Sequence, residues 1–172
     1  MFNVNRDLIT KLEDVPQSSV GAPCPMVVAS EHFLALIYFL QEREAAWDGT
    51  TVRVIDPNSS GIPVAVLKFF RPMAHALGPP NDEAISGHPL YKKGLRPYSA
   101  LLVNNSSWID FYCKINSAHP HHNAKSFAAK RHYIMAFHDS IFECIADSYT
   151  IDVTSGSVAA IAVQVATDLT SH

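Results

Sequence analysis

Residues 132–144 read "HYIMAFHDSIFEC", and the alternation within this stretch decides the fold class. Read at the period of two that a strand imposes, one face is uniformly apolar and the other is mixed and carries the two histidines and the glutamate, as in a half-buried strand. Asp139 and Ser140 interrupt it with residues whose short polar side chains favour turns. The stretch therefore predicts a β-hairpin turning at Asp139 and Ser140, with 138 opposite 141, 136 opposite 143, 134 opposite 145 and 132 opposite 147. Tyr133, Met135, Phe137, Phe142, Cys144 and Ala146 then share one apolar face. The other face gathers His132, His138, Glu143 and Asp147, with Ile134, Ala136, Ile141 and Ile145 among them. In this register His132 faces Asp147, and Glu143 lies diagonal to His138. A carboxylate beside an imidazole fixes its tautomer, which suits a general base or the outer support of a metal ligand.

Upstream, "FLALIYFL" at 33–40 is apolar without alternating. That pattern predicts a strand buried on both faces; whether the stretch after Pro25 is one strand or two divided by a turn at 30–32 is left open by the sequence. Two β-rich runs at 50–55 and 62–70 flank a cluster of Asp, Pro, Asn, Ser and Gly and read as a hairpin with a long loop. A further strand is expected at 98–103. The segment "SSWIDFYCKINSAHP" carries Trp108, Phe111, Tyr112 and Ile115 at helical spacing, with Ser107 as N-cap and Pro120 as the stop. Residues 123–130 read as a short helical link, and residues 7–12 as a helical turn within a loosely held first twenty residues. The tail reads as a helix with Val158, Ile161, Ala162, Val165 and Leu169 on one face and Ser155 or Ser157 as its cap; a strand competes, because Val163 and Val165 also alternate. The expected architecture is α+β: a mainly antiparallel sheet of about five to six strands with two to three helices packed on it, within one domain spanning 1–172.

The chain length of 172 suits one such domain, and an apolar share of 48% against 17% charged argues against disorder. A formal charge of −3 with scattered basic residues leaves no electropositive footprint, so nucleic acid is not an expected partner. Neither is a membrane, since the 33–40 run falls far short of the ~20 residues needed to span a bilayer. The N-terminal residues lack an apolar core of secretory type, and three cysteines without a C-x-x-C pair suit reduced thiols. A soluble, cytoplasmic protein is expected.

Chemistry is expected in three places. The first is the polar face of the hairpin. The second is "RPMAHALGPPNDEAISGHPLYKKGLRP", 71–97, a proline- and glycine-rich segment expected to be a long loop rather than a strand or long helix. There Asn81 caps a short turn bearing Asp82 and Glu83, and Gly87 presents His88. The third is "HPHHN" at 119–123, where His119 and His121 have an H-x-H spacing that could chelate a divalent metal with His132. No nucleotide-binding, P-loop or nucleophile-elbow motif occurs, so no cofactor is encoded by a recognisable pattern.

These features predict a small-molecule-binding protein or an enzyme, with a pocket between the 72–97 loop and the 131–147 hairpin. His138 would be the acid or base, Glu143 its orienting group, with His88 and Asp82 or Glu83 facing them. A second reading is a non-catalytic interaction module, homodimeric, because Ile134, Ile141 and Ile145 on a face otherwise polar need cover from another element or another subunit. A third is metal-dependent chemistry through His119, His121 and His132.

Overall fold

The computed structural model describes residues 4–42 and 54–170. In chain order its strands are β1 (Leu8–Lys11), β2 (Met26–Ala29), β3 (Leu34–Phe39), β4 (Ile62–Phe70), β5 (Ala74–Gly78), β6 (Ala100–Asn104), β7 (Arg131–Ala136), β8 (Ile141–Ala146) and β9 (Ser148–Gly156). The helices are α1 (Ser107–Asn116), α2 (Ala124–Ala128) and α3 (Val158–Thr170). All strand pairs are antiparallel, as the α+β reading expects, but they divide between two sheets. One has the order β1-β6-β7-β8-β5 and the other β2-β3-β4-β9.

β3 sits at the centre of the packing. All six of its residues are buried, which is what a non-alternating apolar run implies. Leu34, Leu36 and Tyr38 join Ala65, Leu67 and Phe69 of β4 against Tyr133, Met135, Phe142 and Cys144 of the other sheet. Ala35, Ile37 and Phe39 point the opposite way and meet Val158, Ala162 and Val165 of α3. Ser157 caps α3, its hydroxyl accepting from the Ala160 N–H at 3.1 Å. The tail is thus helical from Val158, and the β-like part of the same region is β9 before it. The Leu169 side chain and most of the expected 50–55 strand lie outside the described residues; Val54 and Ile55 are not in a strand.

The hairpin at 132–144 forms, with a register two residues away from the expected one. It turns on His138 and Asp139, Phe137 N–H donating to the Ser140 carbonyl at 2.8 Å. Ile134 therefore faces Glu143, and His132 faces Ile145. A shift of two keeps every side chain on its face, so the apolar face is the inter-sheet core as read. What changes is the partner along the polar face. Glu143 lies diagonal to His132 instead of His138. Asp147 pairs with Lys130 and Arg71, each at 2.7 Å, and not with His132.

Three further expectations are corrected. Residues 7–12 do not form a helical turn: β1 pairs with β6, the exposed sheet edge overriding weak local preference. The 71–97 segment contains a strand, because Pro72 and Pro79 flank Ala74–Gly78 instead of interrupting it, and β5 closes the far edge of the sheet on β8. The N-cap of α1 is Ser106, whose hydroxyl accepts from Ile109 N–H at 3.3 Å. The isoleucines of the polar face find cover inside the chain. Ile85, Leu90 and Leu95, from the 3-10 turns after β5, pack on Leu101, Val103, Ile134, Ala136 and Ile141. Gly94 makes the return possible at φ +114, with Ile9 packed where a side chain would begin.

Candidate functional site

Glu143 points from β8 away from the inter-sheet core, to where the 3-10 turns lie over the sheet. Its Oε2 is 2.8 Å from His132 Nε2, and its Oε1 is 3.4 Å from His88 Nε2. The remaining ring nitrogens fix the tautomers. Leu90 N–H donates to His88 Nδ1 at 3.2 Å, so in the neutral ring the proton is on Nε2 and is given to Glu143. At His132 the Ser106 hydroxyl lies 2.9 Å from Nδ1. That hydroxyl already accepts from Ile109, so its own proton goes to Nδ1, and His132 Nε2–H is likewise left for Glu143. One carboxylate thus orients two imidazoles, and a helix cap holds one of them from behind.

Burial alone would raise the Glu143 pKa. The hydrogen bonds from His132 and then His88 outweigh it and hold the carboxyl at about 2, so it is ionised at neutral pH. Trp108, in the first turn of α1, meets the His132 ring edge-on, centroids 5.2 Å apart. Asp7 is 2% exposed and closes the other side. Its two oxygens accept from the Ser107 N–H at 3.1 Å and hydroxyl at 3.0 Å, an acid placed where the helix dipole favours it.

These groups line one cavity of about 200 Å³. Asp7, His88, Trp108, His132 and Glu143 supply the polar and aromatic wall, and Pro89 and Leu90 part of the apolar one. No lysine or arginine is among its described lining residues.

The other residues singled out in the sequence lie elsewhere. His138 is at the hairpin turn, its Nδ1 3.0 Å from Asp139. Its carbonyl accepts from Asp82 N–H at 2.8 Å. Asp82 in turn accepts from the Tyr98 hydroxyl, which together with nearby His138 keeps its carboxyl below the usual range. The structure therefore brings Asp82 to His138 and Tyr98, and brings His88 to Glu143, as two separate groups. Glu83 is exposed. His119 and His121 sit on the exposed loop after α1, where His119 Nδ1 accepts from His121 N–H at 3.0 Å. His132 is 3% exposed, against Trp108. Among the described residues no group of three His, Cys, Asp or Glu side chains is arranged to hold a metal ion.

Asp7, Ser106 and Trp108 were not legible as site members. Asp7 and Ser107 are a hundred positions apart, and nothing local in either segment announces the pairing. No helix among the described residues is long and apolar enough to cross a membrane. No protein-family model, curated protein or solved structure matches the chain.

Proposed function

We propose that the cavity over Glu143 binds a small organic molecule that donates hydrogen bonds, an amine or an alcohol, and that the two imidazoles handle its proton. The observation that carries this reading is the ionised Glu143 carboxylate in the cavity wall, bonded to two histidines. Each of its oxygens has accepted one hydrogen bond and keeps a second lone pair for a ligand. Asp7 adds a second carboxylate, and no lysine or arginine in the described wall balances them. An amine or hydroxyl complements such a wall, while a phosphate or carboxylate is repelled by it. Trp108, Pro89 and Leu90 suit the apolar part of the ligand.

The division of roles follows from Glu143. A carboxyl held at about 2 is too weak a base to take a proton near neutral pH. Its part is to orient the rings, and a proton leaving the ligand goes to an imidazole. His132 has its Nδ1 engaged by a buried hydroxyl; His88 has only the longer bond from a loop N–H. His88 is the ring better placed to exchange a proton with the cavity.

A thermal-shift panel of small amines, alcohols, carboxylates and phosphates tests the reading. A ligand at a hundred times its Kd stabilises by about 2.7 kcal/mol, roughly 5–10 °C for a chain of this size. Such a shift is expected from amines or alcohols with the wild type and is expected to disappear in Glu143→Gln. Stabilisation mainly by the anions, or a shift unchanged in Glu143→Gln, removes this reading.

The interaction-module alternative draws support from α1. Its outward residues Phe111 and Ile115 are 42% and 55% exposed, a small apolar face for a second copy of the chain. Light scattering after size exclusion should then give a dimer that Phe111→Ser with Ile115→Ser dissociates. A monomer at every concentration tested eliminates it.

A further inference from the structure

Helix α1 carries a second chemical group, independent of the cavity. Cys113 Sγ lies 3.7 Å from His122 Nε2, and His122 Nδ1 lies 3.0 Å from Asn116 Oδ1. An amide oxygen only accepts, so the proton of the neutral ring is on Nδ1 and Nε2 turns its lone pair to the thiol. Phe127 of α2 lies against the ring, centroids 5.6 Å apart and tilted by 33°. The His122 N–H donates to the His119 carbonyl at 3.0 Å, which fixes the loop that delivers the ring. Thiol, imidazole and amide thus stand in the order nucleophile, base and orienting group.

We infer that Cys113 is a reactive thiol, activated by His122, and a site of covalent modification by small-molecule disulfides. The Cys113 S–H proton passes to His122 Nε2, and the sulfur attacks one sulfur of the disulfide. The disulfide bond breaks as the new S–S bond forms. The departing thiolate takes the proton back from His122, so one mixed disulfide and one free thiol result. The small disulfide is the oxidant and is itself reduced. Asn116 acts through His122 and is a positioning residue.

The other two thiols differ in setting. Cys24 is partly buried, and burial first, then the charges of Asp56 and Asp139, push its thiol up. Cys144 lies in the inter-sheet core, where burial pushes it well above the ordinary range. Among the described residues neither thiol has an imidazole hydrogen-bonded to it, so both serve as controls within the same molecule.

The test is the rate at pH 7 with the uncharged disulfide 4,4′-dithiodipyridine, with each site assigned by peptide mass spectrometry. Cys113 is expected to react about tenfold or more faster than Cys24, within the range that a positioned general base contributes. Cys144 should stay unlabelled until the protein unfolds, and so reports on the fold of every variant. In His122→Gln the Cys113 rate should fall about tenfold with Cys24 unchanged, and Asn116→Ala should slow it less. Should Cys144 label in His122→Gln, which means that this variant has unfolded, His122→Asn and Asn116→Ala carry the same comparison. Cys113 reacting no faster than Cys24, or at an unchanged rate in the folded histidine variant, overturns the inference.

Discussion

Acidification from pH 4.5 to pH 2 is expected to cost the protein about 3 kcal/mol of stability through Glu143 alone, and Glu143→Gln should remove that part of the loss. The sign follows from linkage. In the unfolded chain the carboxyl binds its proton near 4.5, while in the folded protein the histidine bonds hold it ionised down to about 2. The stabilisation is therefore complete above pH 4.5. Below that value the unfolded state takes up a proton that the folded state refuses, and stability falls until the folded carboxyl also protonates. Asp82, whose carboxyl is also held low by Tyr98, contributes to the same acid limb. The decisive quantity is thus the difference between wild type and Glu143→Gln in urea-unfolding free energy at pH 6, 4, 3 and 2. Two curves of the same slope would mean that the carboxylate is not held by the two imidazoles, and the arrangement on which the functional proposal rests would fall with it.

That arrangement was half legible in the sequence, and the reason is geometric. Alternation along 132–144 assigns each side chain to a face, because the period of a strand is two residues. It cannot separate registers that differ by two, since both satisfy the same pattern. The apolar face was therefore readable as the core. The partner of Glu143 was not, and moving the turn from Asp139 and Ser140 to His138 and Asp139 exchanges His138 for His132. Glu143 with His88 was readable as a meeting of hairpin and proline-rich segment, because only their proximity was needed. β5 was hidden by composition. Ala74–Gly78, between Pro72 and Pro79, form a strand, while the prolines around them suggested that none existed. At the C-terminus the structure separates two overlapping patterns. Val165 is 7% exposed and Val163 67%, as a helix turning its face to β3 requires and a two-residue alternation does not.

The non-alternating run in β3 makes the strongest demand on the core. Leu36→Ala and Ile37→Ala, although adjacent, are each expected to destabilise by about 2–5 kcal/mol in urea unfolding. Both side chains are fully buried, Leu36 between the sheets and Ile37 beneath α3. In a strand with one face to water, one of two neighbours would be solvent-exposed, and its truncation would change stability by about 0.5 kcal/mol or less. Equal, large costs at consecutive positions are thus the signature of a strand packed on both sides. The two side chains belong to different clusters, so their losses should add closely in the double variant. Such a sum approaches the ~5–15 kcal/mol that holds a whole domain folded, and the double variant is expected to be largely unfolded at room temperature. A near-neutral Ile37→Ala would instead mean that α3 does not cover the four-stranded sheet. The layer order of sheet, sheet and helix would then be wrong, whatever the hairpin and the cavity beside it do.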